Sequence, residues 1–420
     1  MADFSKIIKE KDKAADYMVD EITHICKDMP KRDPGSEGEK VACEYMADVL
    51  KNECGCERAD VESFKENPGS FYGWLYITLT CALLGLVCIF FLPPLGIALV
   101  SLGLVIMILQ FGLYKKAVDK LFPEKTGHNV TAVKKCTGEV KGRVFFNGHP
   151  DAAWEWPMNR IGGGVLFEGH AGIGIAGAIY YLVLNCIALA NGFTVGMLTE
   201  HLANPVLNTV YLCALGGIAF VPFILLLYRM WNKNLVVDGA NDNLTGCYMG
   251  IAVLKAMHDA GIELEHTEVG VILSGSEEAG LRGAKAWCEQ HKGEFDDVPT
   301  WIYSYDTIHD AKFLMVNYRD LNGTVAADKE VSDSFITAAK ELDIFCKKGW
   351  VPPLGGATDS AAFAQAGFRA TGVTGLNHNL ESYYHTRYDS YDNMDKDGLA
   401  KCYAISCKAL ENFDKNISNK

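Results

Sequence analysis

The stretch that decides the fold is "VGVILSGSEEAGLRG", residues 269–283. Its apolar start is typical of a buried strand, and small residues then lead into two adjacent acids, Glu277 and Glu278. Neighbouring side chains point in different directions on a strand or a helix, so the two carboxylates cannot act as one pair from one face. We therefore expect each acid to have its own role just past the end of a strand.

The composition limits the possible partners of the chain. A formal charge of −13 argues against nucleic acid, because binding to phosphates needs a basic surface. The 14 cysteines are scattered without a regular spacing, which favours reduced, buried thiols over a disulfide framework. The hydrophobic content of 49% is high for a soluble enzyme and indicates apolar sequence outside the core.

Two long apolar blocks account for that excess. Residues 71–114 contain no charged side chain, and they are about twice as long as the roughly 20-residue helix that crosses a bilayer. A helix breaks at Pro93-Pro94, which predicts a transmembrane hairpin. Residues 171–230 contain two more apolar runs around a polar tip and predict a second hairpin. Buried core helices are the alternative, but uncharged spans of this length exceed what a soluble core usually requires.

Outside the two apolar blocks, the sequence pattern alternates between strands and helices, which predicts one α/β domain with a mainly parallel sheet flanked by helices. This domain comprises residues 1–70, 115–170 and 231–420. Ser36 and Glu39 stand at capping-box spacing and predict a helix start. Polar residues follow the apolar strands, at the edge where open α/β sheets bind ligands. These candidates are His149, Asp151, Asp242, Glu277, Glu278, Asp306 and His385.

Together, these candidates suit a metal centre better than any one of them does alone. Two zinc ions need three carboxylates and two imidazoles when one aspartate bridges the ions and each ion takes one further carboxylate and one histidine. Glu277 remains unassigned in such a centre. A free carboxylate beside metal-bound water is what a hydrolase uses as a general base.

The sequence resembles the di-zinc metallopeptidases of family twenty-eight, which include the bacterial leucyl aminopeptidases, the glutamate carboxypeptidases and the glutaminyl cyclases. The resemblance covers nearly all of the chain outside the apolar blocks. The motifs that carry it, in family order, are "PGSEGE", "GHPDAA", "GANDNLTG", "GSEEAGLRGAKAW", "YSYD", "TDSAAFAQAGFRATGV" and "YYHTRYDSYDNMD".

The resemblance implies two zinc ions as cofactors and a role for each acid of the opening stretch. Asp242 bridges the ions, and Glu277 carries protons between water and substrate. The first ion is held by His149, Asp242 and Asp306, and the second by Asp242, Glu278 and His385.

Three further residues match positions near the family's site. Asp151 is expected to fix the tautomer of His149, with an Asx turn as the alternative. Tyr384 matches a position that polarises the scissile carbonyl in the carboxypeptidase branch, with simple packing as the alternative. Asp359 either orients a ligand or caps a helix.

The two hairpins depart from the family pattern, because the soluble relatives lack them. Each block must cross the membrane an even number of times, since the metal ligands on either side of it have to meet. The catalytic domain therefore lies on one side. Basic residues flank the hairpins on the domain side and favour a cytoplasmic location. They are Lys115, Lys116, Lys120, Lys125, Arg229 and Lys233.

We therefore interpret the chain as a multi-pass integral membrane protein with four transmembrane helices in the lipid bilayer. It is expected to be a zinc-dependent exopeptidase, an aminopeptidase acting on peptide substrates. The alternative is a catalytically inactive, peptidase-like scaffold or receptor, which is disfavoured because all five ligands and the base are present. A channel or transporter is disfavoured because the predicted spans carry no charge. The sequence leaves the cleaved residue, the trimmed end and the oligomeric state open.

Overall fold

The computed structural model describes residues 3–377 and 381–418. The chain divides into two compact units. The sheet unit comprises Met1–Pro68, Pro123–Glu155 and Asn234–Lys420, and the hairpin unit comprises Gly69–Phe122 and Trp156–Lys233. The second segment of the hairpin unit begins at Trp156, ahead of the hairpin start predicted at residue 171, because helical turns that carry charged residues precede the uncharged run.

Thirteen α-helices and eleven strands are formed by the described residues. The helices are α1 (Ser5–Lys9), α2 (Lys11–Asp28), α3 (Glu37–Asn52), α4 (Ser70–Phe91), α5 (Pro93–Met107), α6 (Pro157–Ala190), α7 (Pro205–Gly217), α8 (Val221–Leu227), α9 (Thr245–Asp259), α10 (Arg282–Gln290), α11 (Lys329–Glu341), α12 (Asp359–Gln365) and α13 (Lys396–Ser418). The strands are β1 (Arg58–Glu66), β2 (Lys125–Lys134), β3 (Gly142–Gly148), β4 (Trp154–Glu155), β5 (Asn232–Val236), β6 (Thr267–Ser274), β7 (Thr300–Ile308), β8 (Met315–Asp320), β9 (Val325–Ala326), β10 (Lys347–Trp350) and β11 (Arg369–Gly375).

The central sheet has the strand order β1-β2-β6-β3-β7-β11-β8-β10, and β9 pairs with β8. Its four central strands, β6, β3, β7 and β11, run parallel, with Phe146 opposite both Val271 and Tyr303. Antiparallel pairing occurs farther out, where β2 joins β6 and β8 joins β11. The predicted α/β fold with a mainly parallel sheet is confirmed, since the parallel strands form its centre.

Helices cover both faces of the sheet, as successive residues of β3 show. Phe146 belongs to the large core cluster that includes residues of α2, α3, α9 and α13. Phe145 faces the other way and packs edge-on against Trp287 of α10, with ring centroids 6.1 Å apart. Because both faces are covered, β3 is buried along its whole length, as expected for a central parallel strand.

The hairpin unit contains four helical segments long and apolar enough to cross a membrane: Ser70–Phe91, Pro93–Gly112, Pro157–Ala190 and Pro205–Leu227. The break predicted at Pro93-Pro94 is confirmed, because α4 ends at Phe91 and α5 begins at Pro93. The helix α6 carries Arg160 and Glu168 in its first turns and kinks at Gly163, where φ is +63°. Its first turns are therefore less apolar than the predicted span.

Small residues bring the helices of this unit close together. A Cβ on Gly96 would lie 2.2 Å from the side-chain oxygen of Asn185, and one on Gly177 would lie 3.0 Å from Phe220. The Asn185 amide also donates a hydrogen bond of 2.9 Å to the carbonyl of Gly85. Small residues at helix contacts and polar bonds between helices are typical of packing in lipid.

Candidate active site

Three adjacent parallel strands deliver four of the predicted residues to one edge of the sheet. His149 directly follows β3, Glu277 and Glu278 follow β6 after a short turn, and Asp306 lies near the end of β7. Because parallel strands end at the same edge, these side chains converge there. All four are at least nine-tenths buried.

Asp242 comes from a turn, Ala240–Leu244, that precedes α9. The side chain of the next residue, Asn243, ties this turn to the end of β7. Its amide donates to the carbonyl of Tyr305 at 2.7 Å, and its oxygen accepts from the N–H of Thr307 at 3.2 Å. These bonds hold Asp242 next to Asp306.

The five predicted ligands form two groups that share Asp242. One group is His149, Asp242 and Asp306, and the other is Asp242, Glu278 and His385. Within each group, one ligand atom per residue lies within 4.8 Å of the others. His149 Nε2 lies 3.2 Å from Asp242 Oδ1, and His385 Nε2 lies 3.0 Å from Asp242 Oδ2. Each oxygen of Asp242 therefore faces a different histidine.

The donor atoms of these groups fit zinc. Within the described residues, His149 Nε2, Asp242 Oδ2 and Glu278 Oε1 are buried and form no hydrogen bond. Buried polar atoms are normally paired, and imidazole nitrogens and carboxylate oxygens are common ligands of zinc. The arrangement is that of a cation site built from several strands and loops.

The charges of the ligands act strongly on one another. Burial alone would raise the pKa of Asp242, but His149 and His385, which lie against its two oxygens, lower it overall. Burial raises the pKa of Asp306 well above its ordinary value, and the Asp242 charge raises it further. Burial would lower the pKa of His385, but the charges of Glu278 and Asp242 raise it to about 10. The groups thus concentrate negative charge that a bound cation would compensate.

Glu277 lies beside the two groups but belongs to neither of them. Its Oε2 is 3.9 Å from His149 Nε2. Burial raises the pKa of Glu277 well above its ordinary value; His149 opposes this rise, and the Asp306 and Glu278 charges add to it. A carboxyl group in this position can take up and release a proton next to the ligands.

One carboxylate holds the backbone of both acids of the opening stretch. Asp151 Oδ1 accepts the N–H of Glu277 and its Oδ2 accepts the N–H of Glu278, each at 3.0 Å. Asp151 Oδ1 also lies 3.4 Å from His149 Nδ1. The Asp151 side chain therefore contacts the turn of Glu277 and Glu278 as well as the His149 imidazole. The alternative, an Asx turn, would bond this side chain only within its own loop.

Two further acids support the same turn, and the sequence did not indicate their role. The hydroxyl oxygen of Ser276, which has a left-handed backbone with φ of +56°, lies at hydrogen-bond distance from both, 2.7 Å from Glu39 and 2.5 Å from Glu66. Ser36 caps α3 as predicted by accepting the N–H of Glu39. The Glu39 carboxylate, however, points to Ser276 and to the N–H of His128, so only half of the capping box forms.

Asp389 is a third acid whose role the sequence did not indicate. Its carboxylate accepts the N–H groups of Asn241 at 2.8 Å and of Asp242 at 3.2 Å, and so fixes the turn that carries the shared ligand. Burial and the Asp242 charge raise the pKa of Asp389 to about 7. Its only signal in the sequence is its position four residues after His385.

The two remaining candidates lie near the ligands. The Tyr384 ring is partly buried and stacks on His385, with centroids 4.1 Å apart. Asp359 does not cap its helix, because Thr358 holds the cap position of α12 and accepts the N–H of Ser360. Asp359 instead accepts a hydrogen bond of 2.5 Å from Ser274, at the end of β6.

Comparison with known proteins agrees with this architecture. Residues 228–410 match the sequence profile of Peptidase family M28, whereas no curated protein sequence matches the chain. An aminopeptidase from Aneurinibacillus sp. strain AM-1 is 14% identical, with a TM-score of 0.55 over 96% of this chain and 95% of that one. A zinc aminopeptidase from Bacillus subtilis is 12% identical, with a TM-score of 0.55 over 95% of each chain. A glutaminyl cyclase from Bacteroides thetaiotaomicron is 10% identical, with a TM-score of 0.53 over 96% of this chain and 97% of that one. At such identities the likeness shows a shared fold.

Proposed function

We propose, from the match of residues 228–410 to peptidase family M28, that the chain is a membrane-anchored, zinc-dependent exopeptidase of the aminopeptidase type. The observation that carries the proposal is the pair of buried ligand groups that share Asp242. The uncommitted carboxylate of Glu277 beside them supplies the acid-base group that a hydrolase needs.

Two zinc ions are proposed as cofactors, one for each ligand group. His149 and Asp306 would hold the first with Asp242, and Glu278 and His385 would hold the second with Asp242. When bound, zinc supplies Lewis acidity toward the scissile carbonyl and lowers the pKa of water.

The side chains of the chain itself perform the proton transfers. Glu277 accepts a proton from the attacking water and returns it to the leaving amine. Asp151 holds the backbone of Glu277 and Glu278 so that the base and the ligand keep their separate directions. We assign to Tyr384, stacked on His385, a hydrogen bond to the scissile carbonyl.

The hairpin unit serves as the membrane anchor in this proposal. Its four helices are long and apolar enough to cross a bilayer. Large apolar side chains on their outer faces, such as Val183 at 48% exposure and Leu212 at 59%, suit contact with lipid. The basic residues at the hairpin ends favour a sheet unit on the cytoplasmic side.

An assay of the purified full-length protein in lipid nanodiscs tests the proposed activity. The substrates are matched peptides with a free amino terminus, an acetylated amino terminus or an amino-terminal glutamine. We expect release of the first amino acid from the free peptide and no reaction of the acetylated one. Trimming of the acetylated peptide from its carboxyl end would show a carboxypeptidase. Ammonia release from the glutamine peptide without cleavage would show a cyclase, and zinc-loaded protein that transforms none of them would favour the inactive scaffold.

A further inference from the structure

Arg32 is a buried cation whose hydrogen-bond partners, among the residues that the structure describes, are all main-chain carbonyls. It lies between α2 and α3 and is 1% exposed. Its Nε donates to the carbonyl of Pro150 at 2.7 Å, and its Nη2 donates to the carbonyls of Asp238 at 2.6 Å and of Gly239 at 3.2 Å. Pro150 directly follows His149, and Gly239 stands three residues before Asp242. One guanidinium thus bridges the two loops that carry these ligands.

The loop that carries Gly239 approaches Arg32 so closely that position 239 has little room for a side chain. Gly239 is left-handed, with φ of +59°, and a Cβ there would lie 3.0 Å from Arg32 Nη2 and 2.7 Å from the Ala152 Cβ. The main chain of Arg32 adds a further link, because its carbonyl accepts the N–H of Ala152 at 2.9 Å. Arg32 therefore contacts the His149 loop through both its side chain and its backbone.

The amino end of α3 in turn fixes the backbone next to Arg32. A Cβ on Gly38 would lie 1.9 Å from the carbonyl oxygen of Lys31, so only glycine allows this contact. The Ser36 hydroxyl donates to the same oxygen at 3.3 Å. The start of α3 thus fixes the main chain next to Arg32, and the Arg32 guanidinium bonds to the two loops.

We propose that Arg32 is a positioning residue that sets the separation of His149 and Asp242 by clasping the loops behind them. The clasp needs the planar fork of a guanidinium, which directs several N–H groups in fixed directions, whereas a lysine ammonium is a single compact donor. The consequence for metal binding rests on the proposed function. Loss of groups that orient metal ligands typically costs about 10- to 100-fold in metal affinity.

The test compares Arg32→Lys and Arg32→Met with a matched control, Lys31→Gln. Lys31 pairs with the side chain of Asp238 on the same loop but is half-exposed and takes no part in the clasp. Zinc affinity of each full-length variant is measured by competition with a chelator, well below its melting temperature, together with kcat and KM. We expect both Arg32 variants to lose about 10- to 100-fold in zinc affinity, and to lose kcat more than they raise KM. The control should match the parent.

A purely structural role would lower the melting temperature but leave the zinc affinity of the folded protein unchanged, and that result for Arg32→Lys would overturn the proposal. If the parent protein binds no zinc, the proposed function fails instead. The clasp is then tested by amide hydrogen exchange, which needs no metal. Faster exchange at Ala152 and across the turn Ala240–Leu244 in Arg32→Lys supports the proposal, and unchanged exchange there overturns it.

Discussion

The sheet unit and the hairpin unit both bury apolar cores, but they differ in their buried carboxylates and in their exposed apolar side chains. Within the described residues, the sheet unit buries the carboxylates of Asp151, Asp242 and Glu278 at one edge of its sheet, whereas Asp119 is the one buried carboxylate of the hairpin unit. Conversely, 23 of the 29 exposed large apolar side chains of the described residues belong to the hairpin unit. A cation bound by the sheet unit would compensate its buried carboxylates, and lipid around the hairpin unit would cover its exposed apolar side chains, as the proposed function requires.

Glycine serves both units, but in different ways. In the sheet unit, Gly239 turns its carbonyl toward a guanidinium, which fixes a ligand loop. In the hairpin unit, Gly85 and Gly96 let helices approach, with Val100 lying 2.2 Å from where a Cβ of Gly85 would be. Close approach of the backbone thus orients polar groups in the sheet unit, and it lets the helices pack closely in the hairpin unit.

The largest expected effect tests the division of labour between the two adjacent acids. Glu277→Gln should keep the fold and the metal and cut kcat by about two to four orders of magnitude, because it removes a positioned acid-base group. Glu278→Gln, its matched control, should instead lower the zinc content, because it removes a ligand. Metal analysis and kinetics on both variants check this. Equal loss of zinc from the two would contradict the assignment.

The second effect tests whether the exposed apolar faces of the hairpin unit meet lipid. Val183→Asp on α6 should reduce membrane insertion, because a carboxylate at the centre of a span costs about 2.5 to 3.5 kcal/mol. Val61→Asp on β1 is the control, since Val61 has a similar exposure, 38% against 48%. The fraction of each variant that resists alkaline extraction is measured. Equal behaviour of the two variants would show that the Val183 face does not contact lipid.

A smaller effect concerns the support of the shared ligand. In Asp389, one carboxylate oxygen accepts the N–H of Asn241 and the other accepts the N–H of Asp242. Asp389→Asn replaces one of these oxygens with an NH₂ group, which cannot accept a hydrogen bond. We expect a loss of about 10- to 100-fold in zinc affinity, measured by chelator competition. Asp397→Asn, at an exposed position of α13, should change nothing. An unchanged affinity in Asp389→Asn would remove this residue from the site.

The smallest effect is expected inside the hairpin unit. Asn185→Leu removes the bond to the Gly85 carbonyl but keeps the branching of the side chain at Cγ. Hydrogen bonds between membrane helices contribute about 0.6 kcal/mol on average, so we expect a destabilisation of that order. Asn191→Leu at the end of α6, whose amide bonds only within its own helix, is the control. Thermal unfolding in detergent measures both, and a loss above about 2 kcal/mol for Asn185→Leu would show that this polar contact organises the bundle.

Much of the fold and the ligand set followed from local sequence signals. Strand ends marked His149 and Glu278, and uncharged length with Pro93-Pro94 marked the first hairpin. These features are local, because strand periodicity, helix length and proline geometry are each read over a few residues.

The supporting residues could not be predicted in this way. Asp389 meets Asn241 across 148 positions of the chain, and Glu39 and Glu66 meet Ser276 across 237 and 210 positions. An acid near a helix start has the same local signal whether it caps the helix or turns toward a distant hydroxyl. The helix α6 begins before the hairpin start predicted at residue 171, because Arg160 and Glu168 limit the uncharged run while helical turns continue on both sides of the kink at Gly163.

Metal analysis of the full-length protein, purified in lipid without chelator, tests the central claim most directly. The two ligand groups that share Asp242 predict two zinc ions per chain. Chelation should abolish peptidase activity, and added zinc should restore it. A zinc content near zero, with activity that survives chelation, would contradict the account.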